Sequence, residues 1–208
     1  MNNRLQRRYI ALEASECAVE AKGDETILRG YAAKFDSLSG SLFEKASGIR
    51  EIIRKGFFRS ALDAPGRILA LFYHNENFIL GERTAGTLIV DEDKTGLAYE
   101  VRLSDSQTVR DMVIKPIQRG EIRGCSFSGF IDYSSVEYDR KADVYQLMPG
   151  GCEMLADVGP VTWPAYEDTE IQARAALYRR MKTPARNELE MNELEMIELF
   201  KYKLETGV

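Results

Sequence analysis

Two serines and a cysteine lie close together in the stretch RGCSFSGF, residues 123–130. Alternate residues of a β-strand share a face, so Ser126 and Ser128 are expected to point one way and Cys125 the other. A hydroxyl or thiol becomes a nucleophile when a base lies within hydrogen-bond reach. The stretch therefore offers three candidate nucleophiles on two opposite faces of one predicted strand.

The base for any of these nucleophiles is restricted by composition. The chain contains one histidine, His74, so an imidazole base must be this residue. It directly follows the apolar segment ILALFY, which is typical of a buried strand. A serine–histidine pair requires that the end of this strand lie beside residues 123–130, and the spacing alone does not show that.

An acidic residue that orients the imidazole is the third requirement. Asp157 is the only charged residue between Glu153 and Glu167, in an otherwise apolar segment, and a carboxylate in such a position needs a partner. Glu121, five residues before Ser126, is the alternative orienting residue. Both acids remain open at this point.

Composition excludes several other kinds of chemistry. The three cysteines are widely spaced with no CxxC pair, which disfavours a disulfide framework and a structural zinc site. With a single histidine we expect no metal site, and nothing in the sequence indicates an organic cofactor. The net charge is −5 and no basic block resembles a nucleic-acid footprint. No apolar run suits a membrane span or a signal peptide, so we expect a cytoplasmic protein.

The elements that must position these residues are mostly short strands. Alternating apolar residues predict seven or eight strands, among them a hairpin over residues 86–105, together with about three helices. Most connections suit antiparallel pairing, so we expect an α+β, mostly-β fold built as an antiparallel β-barrel with surrounding helices. Residues 1–182 should form this domain, and residues 183–208 a Pro-containing linker and an acidic amphipathic helix.

The order of the motifs resembles the tailed-phage prohead (procapsid maturation) protease family. The similar segments are LRGYAAKFDS, EIIRKGFFRSAL, LALFYHNENFILGERTAGTLIVDEDKTGLAYEVRL, IQRGEIRGCSFSGF and LADVGPVTWPAY, which together span about residues 28–174. The resemblance implies a serine endopeptidase of the herpesvirus-assemblin type, with a β-barrel surrounded by helices. It also implies a role in the host cytoplasm, where the enzyme cleaves scaffold or major capsid protein segments, and itself, inside the assembling procapsid. We further expect a homo-oligomer with no nucleic-acid or membrane partner.

Carried over residue by residue, the resemblance makes His74 the base, Ser126 the nucleophile and Asp157 the acidic member. The family usually has Glu where this chain has Asp157. It often reads Ser-Phe-Gly-Phe where this chain has an additional serine, so Ser128 is a rival nucleophile on the same face. A serine of the family is replaced by Gly159, which affects a supporting hydrogen bond rather than the nucleophile.

Three other functions remain open on the sequence. The chain could be a catalytically inactive capsid- or scaffold-binding barrel, a cysteine peptidase that uses Cys125 with His74, or a binding barrel unrelated to proteolysis. The last predicts that His74 and Ser126 lie far apart. Serine-directed and thiol-directed reagents separate the two peptidase hypotheses.

Overall fold

The computed structural model describes residues 17–22, 25–38 and 50–162. Most of the strand predicted over residues 9–19, the helix predicted over residues 168–182, and the linker and C-terminal helix of residues 183–208 lie outside these residues. The division into two parts near residue 182 therefore stays a prediction.

Within the described residues the chain is mainly β-structure. The strands are β1 (Ala18–Lys22), β2 (Glu25–Lys34), β3 (Glu51–Ile53), β4 (Leu69–Leu71), β5 (Ile79–Glu82), β6 (Leu88–Glu92), β7 (Gly96–Leu103), β8 (Gly124–Ile131), β9 (Val136–Asp139), β10 (Val144–Leu147) and β11 (Cys152–Val161). They form three sheets, with orders β1-β2-β7-β6, β3-β10-β9 and β5-β4-β11-β8. The mostly-β prediction is confirmed.

The predicted closed barrel is not found among the described residues, where the strands form three open sheets. Two of the strand pairs are parallel, β3 with β10 and β4 with β11. Short alternating segments indicate strands but not their partners, and parallel neighbours need long crossovers that the sequence pattern does not reveal. The similarity to the herpesvirus protease fold is not confirmed either.

Helices are few and short in this part of the chain. The first, α1 (Arg59–Asp63), follows two buried phenylalanines and was predicted from the segment FFRSALDA. The second, α2, covers residues 107–118, and its middle turn Arg110–Ile114 is a π-helix. The wider turn precedes Pro116, whose ring clashes with the preceding turn in regular α-geometry. A short 3₁₀ turn, Tyr133–Ser135, follows β8. No described helix has the length and apolarity that crossing a bilayer requires.

The hydrophobic core contains side chains from all three sheets, and strand β2 of the first sheet contacts β8. Strand β7 shows the expected alternation, with Leu97, Tyr99, Val101 and Leu103 buried and Arg102 exposed. Phe127 of β8 packs edge-to-face on Phe58, with ring centroids 4.8 Å apart. Cys125 lies 3.1 Å from the Tyr99 hydroxyl, measured from its sulfur. One face of β8 is therefore fixed against this core, and its other face is turned towards the remaining polar residues.

Candidate active site

Buried polar side chains are rare in the described residues, and most of them belong to one cluster. The five that are buried are Glu51, His74, Ser126, Ser128 and Asp157. Burying a polar or charged group is unfavourable unless it is paired, so such groups are retained for a structural or chemical reason. Four of the five are residues that the sequence singled out, and they lie on β8, β11 and the segment after β4.

The histidine is positioned by an unusual turn of the backbone. After β4 the chain passes through two consecutive left-handed residues, Tyr73 with φ +56° and His74 with φ +55°. Neither is glycine, and such conformations persist only where the surroundings impose them. The Tyr73 N–H donates to the carbonyl of Pro160 at 3.2 Å, and the Asn75 N–H donates to the carbonyl of Phe72 at 3.1 Å. These bonds stop the strand and hold the turn that carries His74.

The aspartate is positioned by a β-bulge in β11. Leu155 pairs with Gly129, but Asp157 pairs with Ser128, so β11 advances two residues while β8 advances one. Without the extra residue, Ala156 would lie opposite Ser128, and Asp157 would lie opposite Phe127. Bulges of this kind turn a side chain to the other face of a sheet. The bulge therefore places Asp157 on the serine face of β8.

His74 and Asp157 are in direct contact. The Nδ1 atom of His74 lies 2.5 Å from Oδ1 of Asp157, and both side chains are almost fully buried. An ionised carboxylate only accepts hydrogen bonds, so the donor is the Nδ1–H group of His74 and the acceptor is Oδ1 of Asp157. In the neutral ring this tautomer makes Nε2 the acceptor. The pair can therefore present a base at Nε2, as a catalytic triad requires.

Ser128 completes the environment of the carboxylate. Its hydroxyl donates a hydrogen bond to Oδ2 of Asp157, the oxygen that His74 does not contact. Strand alternation predicts that Ser128 shares a face with Ser126, which made Ser128 a rival candidate for the nucleophile. Its contact with the acidic residue was not anticipated, because it depends on the bulge in β11.

Ser126 lies on the same face of β8, two residue pairs further along the β8–β11 ladder. It is fully buried and pairs with Gly159 of β11, two residues after Asp157. Its Oγ has no hydrogen-bond partner within the described part of the chain. Since Tyr73 is anchored at Pro160 and the His74 ring reaches Asp157, the imidazole lies along the stretch of β11 that pairs with residues 126–128.

Cys125 is on the opposite face of β8, as the alternation predicted. Its sulfur contacts the Tyr99 hydroxyl, and a Cβ added to Gly30 would lie only 2.6 Å from it. Burial raises the pKa of the Cys125 thiol, which disfavours the thiolate that a cysteine nucleophile needs. The location and the protonation state both disfavour Cys125 as a partner of His74.

Glu121 is not brought to the cluster. Both of its carboxylate oxygens accept hydrogen bonds from the exposed Arg119, at 2.9 and 2.7 Å. The hydrogen bond from Arg119 lowers the pKa of Glu121, as expected of an acid in a solvated ion pair. The structure thus pairs Asp157, and not Glu121, with the imidazole. In the described part of the chain, no group of three or more His, Cys, Asp and Glu side chains is arranged to bind a metal ion.

Comparison with known proteins assigns the chain to a protein family. No curated protein and no solved structure matches the chain. The family model of the caudovirus prohead serine protease matches residues 13–184, which include His74, Ser126, Ser128 and Asp157. The match covers most of the chain, and the chain therefore belongs to the caudovirus prohead serine protease family.

Proposed function

We propose that this chain is a serine endopeptidase that uses Ser126 as the nucleophile, His74 as the base and Asp157 as the orienting acid. The observation that carries the proposal is the buried 2.5 Å contact between His74 Nδ1 and Asp157 Oδ1, beside the strand that carries Ser126. This arrangement fixes the ring nitrogen that faces away from the acid as the base, which is the role that a serine nucleophile needs.

The reaction follows from these roles. Ser126 Oγ attacks the carbonyl carbon of the scissile peptide, and His74 Nε2 takes the hydroxyl proton. As the tetrahedral intermediate collapses, the C–N bond breaks and His74 gives this proton to the leaving amine. A water molecule then attacks the acyl-Ser126 ester with His74 again as base, which releases the acid product and restores the serine. Asp157 stabilises the imidazolium in both steps and is not itself protonated.

The family supports a substrate among the proteins of the immature phage shell. We propose that the enzyme cleaves segments of the scaffold or the major capsid protein, and itself, inside the procapsid in the host cytoplasm, and that it acts as a homo-oligomer. No specific observation in the structure favours the cysteine peptidase, the inactive scaffold-binding module or the unrelated binding barrel over this function.

The test is cleavage of the capsid and scaffold polypeptides of the same phage by the purified full-length chain. New termini are identified by mass spectrometry. We expect Ser126→Ala and His74→Ala to abolish the wild-type products, and Ser104→Ala, a change at an exposed serine outside the cluster, to leave them intact. Products that persist in Ser126→Ala would reject Ser126 as nucleophile. Binding of these polypeptides without any cleavage by the wild type would favour the inactive module.

A further inference from the structure

We propose that Ser128 is a positioning residue that holds the Asp157 carboxylate in the orientation that His74 requires. The inference rests on the proposed function, and it assigns a fourth side chain to that site. Ser128 is 1 % exposed and lies directly opposite Asp157 in the β8–β11 pair. It is thus fixed on a strand backbone and not on a loop, as a group that orients another side chain should be.

The carboxylate needs more than one contact to be held. Rotation about the last side-chain torsion of an aspartate is only weakly restricted, so a single hydrogen bond leaves the plane of the carboxylate free to turn. In this site His74 Nδ1 contacts Oδ1, and the Ser128 hydroxyl donates to Oδ2. One contact on each oxygen fixes the plane. The orientation of the imidazole then follows from that of the carboxylate.

The direction of the Ser128 hydrogen bond separates its role from that of Ser126. A carboxylate accepts hydrogen bonds and cannot donate them, so the Ser128 hydroxyl is the donor and its proton points at Asp157. Ser126 Oγ has no such partner within the described residues, so its hydroxyl proton is not used in a hydrogen bond to an acid and can be transferred to a base. Of the two serines on this face, Ser128 therefore supports the acid, and Ser126 is the one that can react.

The local backbone matches this assignment. The β11 bulge at Ala156 brings Asp157 opposite Ser128. Next to it, a Cβ added to Gly129 would lie 2.2 Å from the Met154 carbonyl oxygen, so the two strands approach closely at the bulge only because residue 129 is glycine. The bulge and the glycine beside it thus set the short distance that a serine hydroxyl can span.

The experiment uses the single histidine as a probe. In the ¹⁵N-labelled full-length chain, the Nδ1–H proton of His74 gives the only imidazole signal, so it needs no assignment among several histidines. We expect this proton to resonate far downfield in the wild type. Ser128→Ala should move or broaden the signal, Ser128→Thr should largely restore it, and Ser126→Ala should leave it in place. Circular dichroism and thermal melting establish that each variant is folded.

A cleavage assay provides an independent test of the role of Ser128. Ser128→Ala should still cleave substrate, with kcat lowered about tenfold and KM little changed, as expected for loss of one hydrogen bond to a charged group that does not touch the substrate. Ser128→Thr should recover most of kcat. If the threonine does not fold, Ser128→Cys, which keeps the size and a weak donor, takes its place.

Two results would overturn the inference. One is a folded Ser128→Ala protein with an unchanged His74 Nδ1–H signal, and the other is complete loss of cleavage in Ser128→Ala with retention in Ser126→Ala. The spectroscopic comparison needs no substrate. It therefore decides the role of Ser128 even if the wild-type chain cleaves nothing and the proposed function fails.

Discussion

Gly159 lies directly opposite Ser126 in the antiparallel pair of β11 with β8. On its other side β11 pairs with β4, and a Cβ added to Gly159 would lie 1.8 Å from the carbonyl oxygen of Leu71. The strand that leads to His74 can approach β11 this closely only because residue 159 has no side chain. The same glycine thus sets the spacing between the strand before His74 and the strand beside Ser126.

Gly159→Ala should separate β4 from β11 and displace His74 from Asp157 and Ser126. We expect a loss of about 1–3 kcal/mol in the free energy of unfolding, as for an overpacked core, together with a fall in kcat/KM of at least tenfold. Urea unfolding and a cleavage assay measure the two effects.

The matched control is Gly86→Ala. Nothing lies within 4 Å of the added Cβ, but φ is +71°, so this change should also lower stability, by about 1–2 kcal/mol, with activity unchanged. Full activity in Gly159→Ala would show that the close approach of β4 to β11 does not position His74.

The two acids that the sequence left open should respond very differently to loss of charge. Asp157→Asn should lower kcat by about 10³–10⁴-fold, because an amide cannot hold the imidazole in the required tautomer and charge state. Glu121→Gln removes only an exposed ion pair with Arg119 and should leave kcat within about twofold. Steady-state kinetics on both variants decides between them, and equal losses would contradict the role given to Asp157.

The left-handed turn at Tyr73 and His74 can be tested by the shape of the residue before the histidine. Tyr73→Asn and Tyr73→Ile both remove the ring that packs edge-to-face on Phe72, with centroids 4.4 Å apart. Asparagine tolerates positive φ, whereas a β-branched residue does not. We therefore expect Tyr73→Ile to lose about 1–2 kcal/mol more stability than Tyr73→Asn, and to lose more activity.

Thermal melts and kcat/KM on the two Tyr73 variants check this. Indistinguishable variants would mean that the positive φ at Tyr73 is not required for the placement of His74.

The turn between β6 and β7 predicts a pH dependence of stability. Desolvation opposes ionisation of Asp93, but the Tyr31 hydroxyl and the N–H groups of Thr95 and Gly96 outweigh it and lower the pKa of this acid. A lowered pKa in the folded state stabilises the fold above the unfolded-state pKa, and this contribution is lost as the pH falls through the folded-state pKa.

Asp93→Asn keeps an acceptor for the two N–H groups but does not titrate. The wild type should therefore lose more stability than Asp93→Asn between about pH 5 and pH 3, measured by urea unfolding at each pH. Parallel curves for the two proteins would show that the contacts of Asp93 do not depend on its charge.

Much of the strand content could be predicted from the sequence, because alternation of apolar residues reports directly which face is buried. The β6–β7 hairpin, helix α1 and strand β11 follow their predicted segments, and Cys125 and Ser126 lie on opposite faces of β8. Strand β5 was missed, since Ile79–Glu82 is too short to show a period. The predicted closed barrel is not found among the described residues, because strand pairing depends on contacts far apart in sequence.

The candidate residues could be proposed, but their arrangement could not be derived from spacing. The residue types from Leu155 to Asp157 are compatible with regular alternation and do not predict a bulge. The bulge determines on which face of the β8–β11 pair the Asp157 side chain lies. Similarly, nothing in the types of Tyr73 and His74 predicts two left-handed residues. In both places the tertiary structure overrides the local preference, as is common where a fold stores strain at a functional site.

The most direct test of the account is covalent labelling of the folded full-length chain with a serine-directed fluorophosphonate, followed by peptide mapping. We predict that Ser126 is the single phosphonylated residue of the wild type. The reaction should be abolished in His74→Ala. A label on Ser128 or Cys125, or a chain in which Ser126 never reacts, would contradict the assignment of Ser126 as the nucleophile.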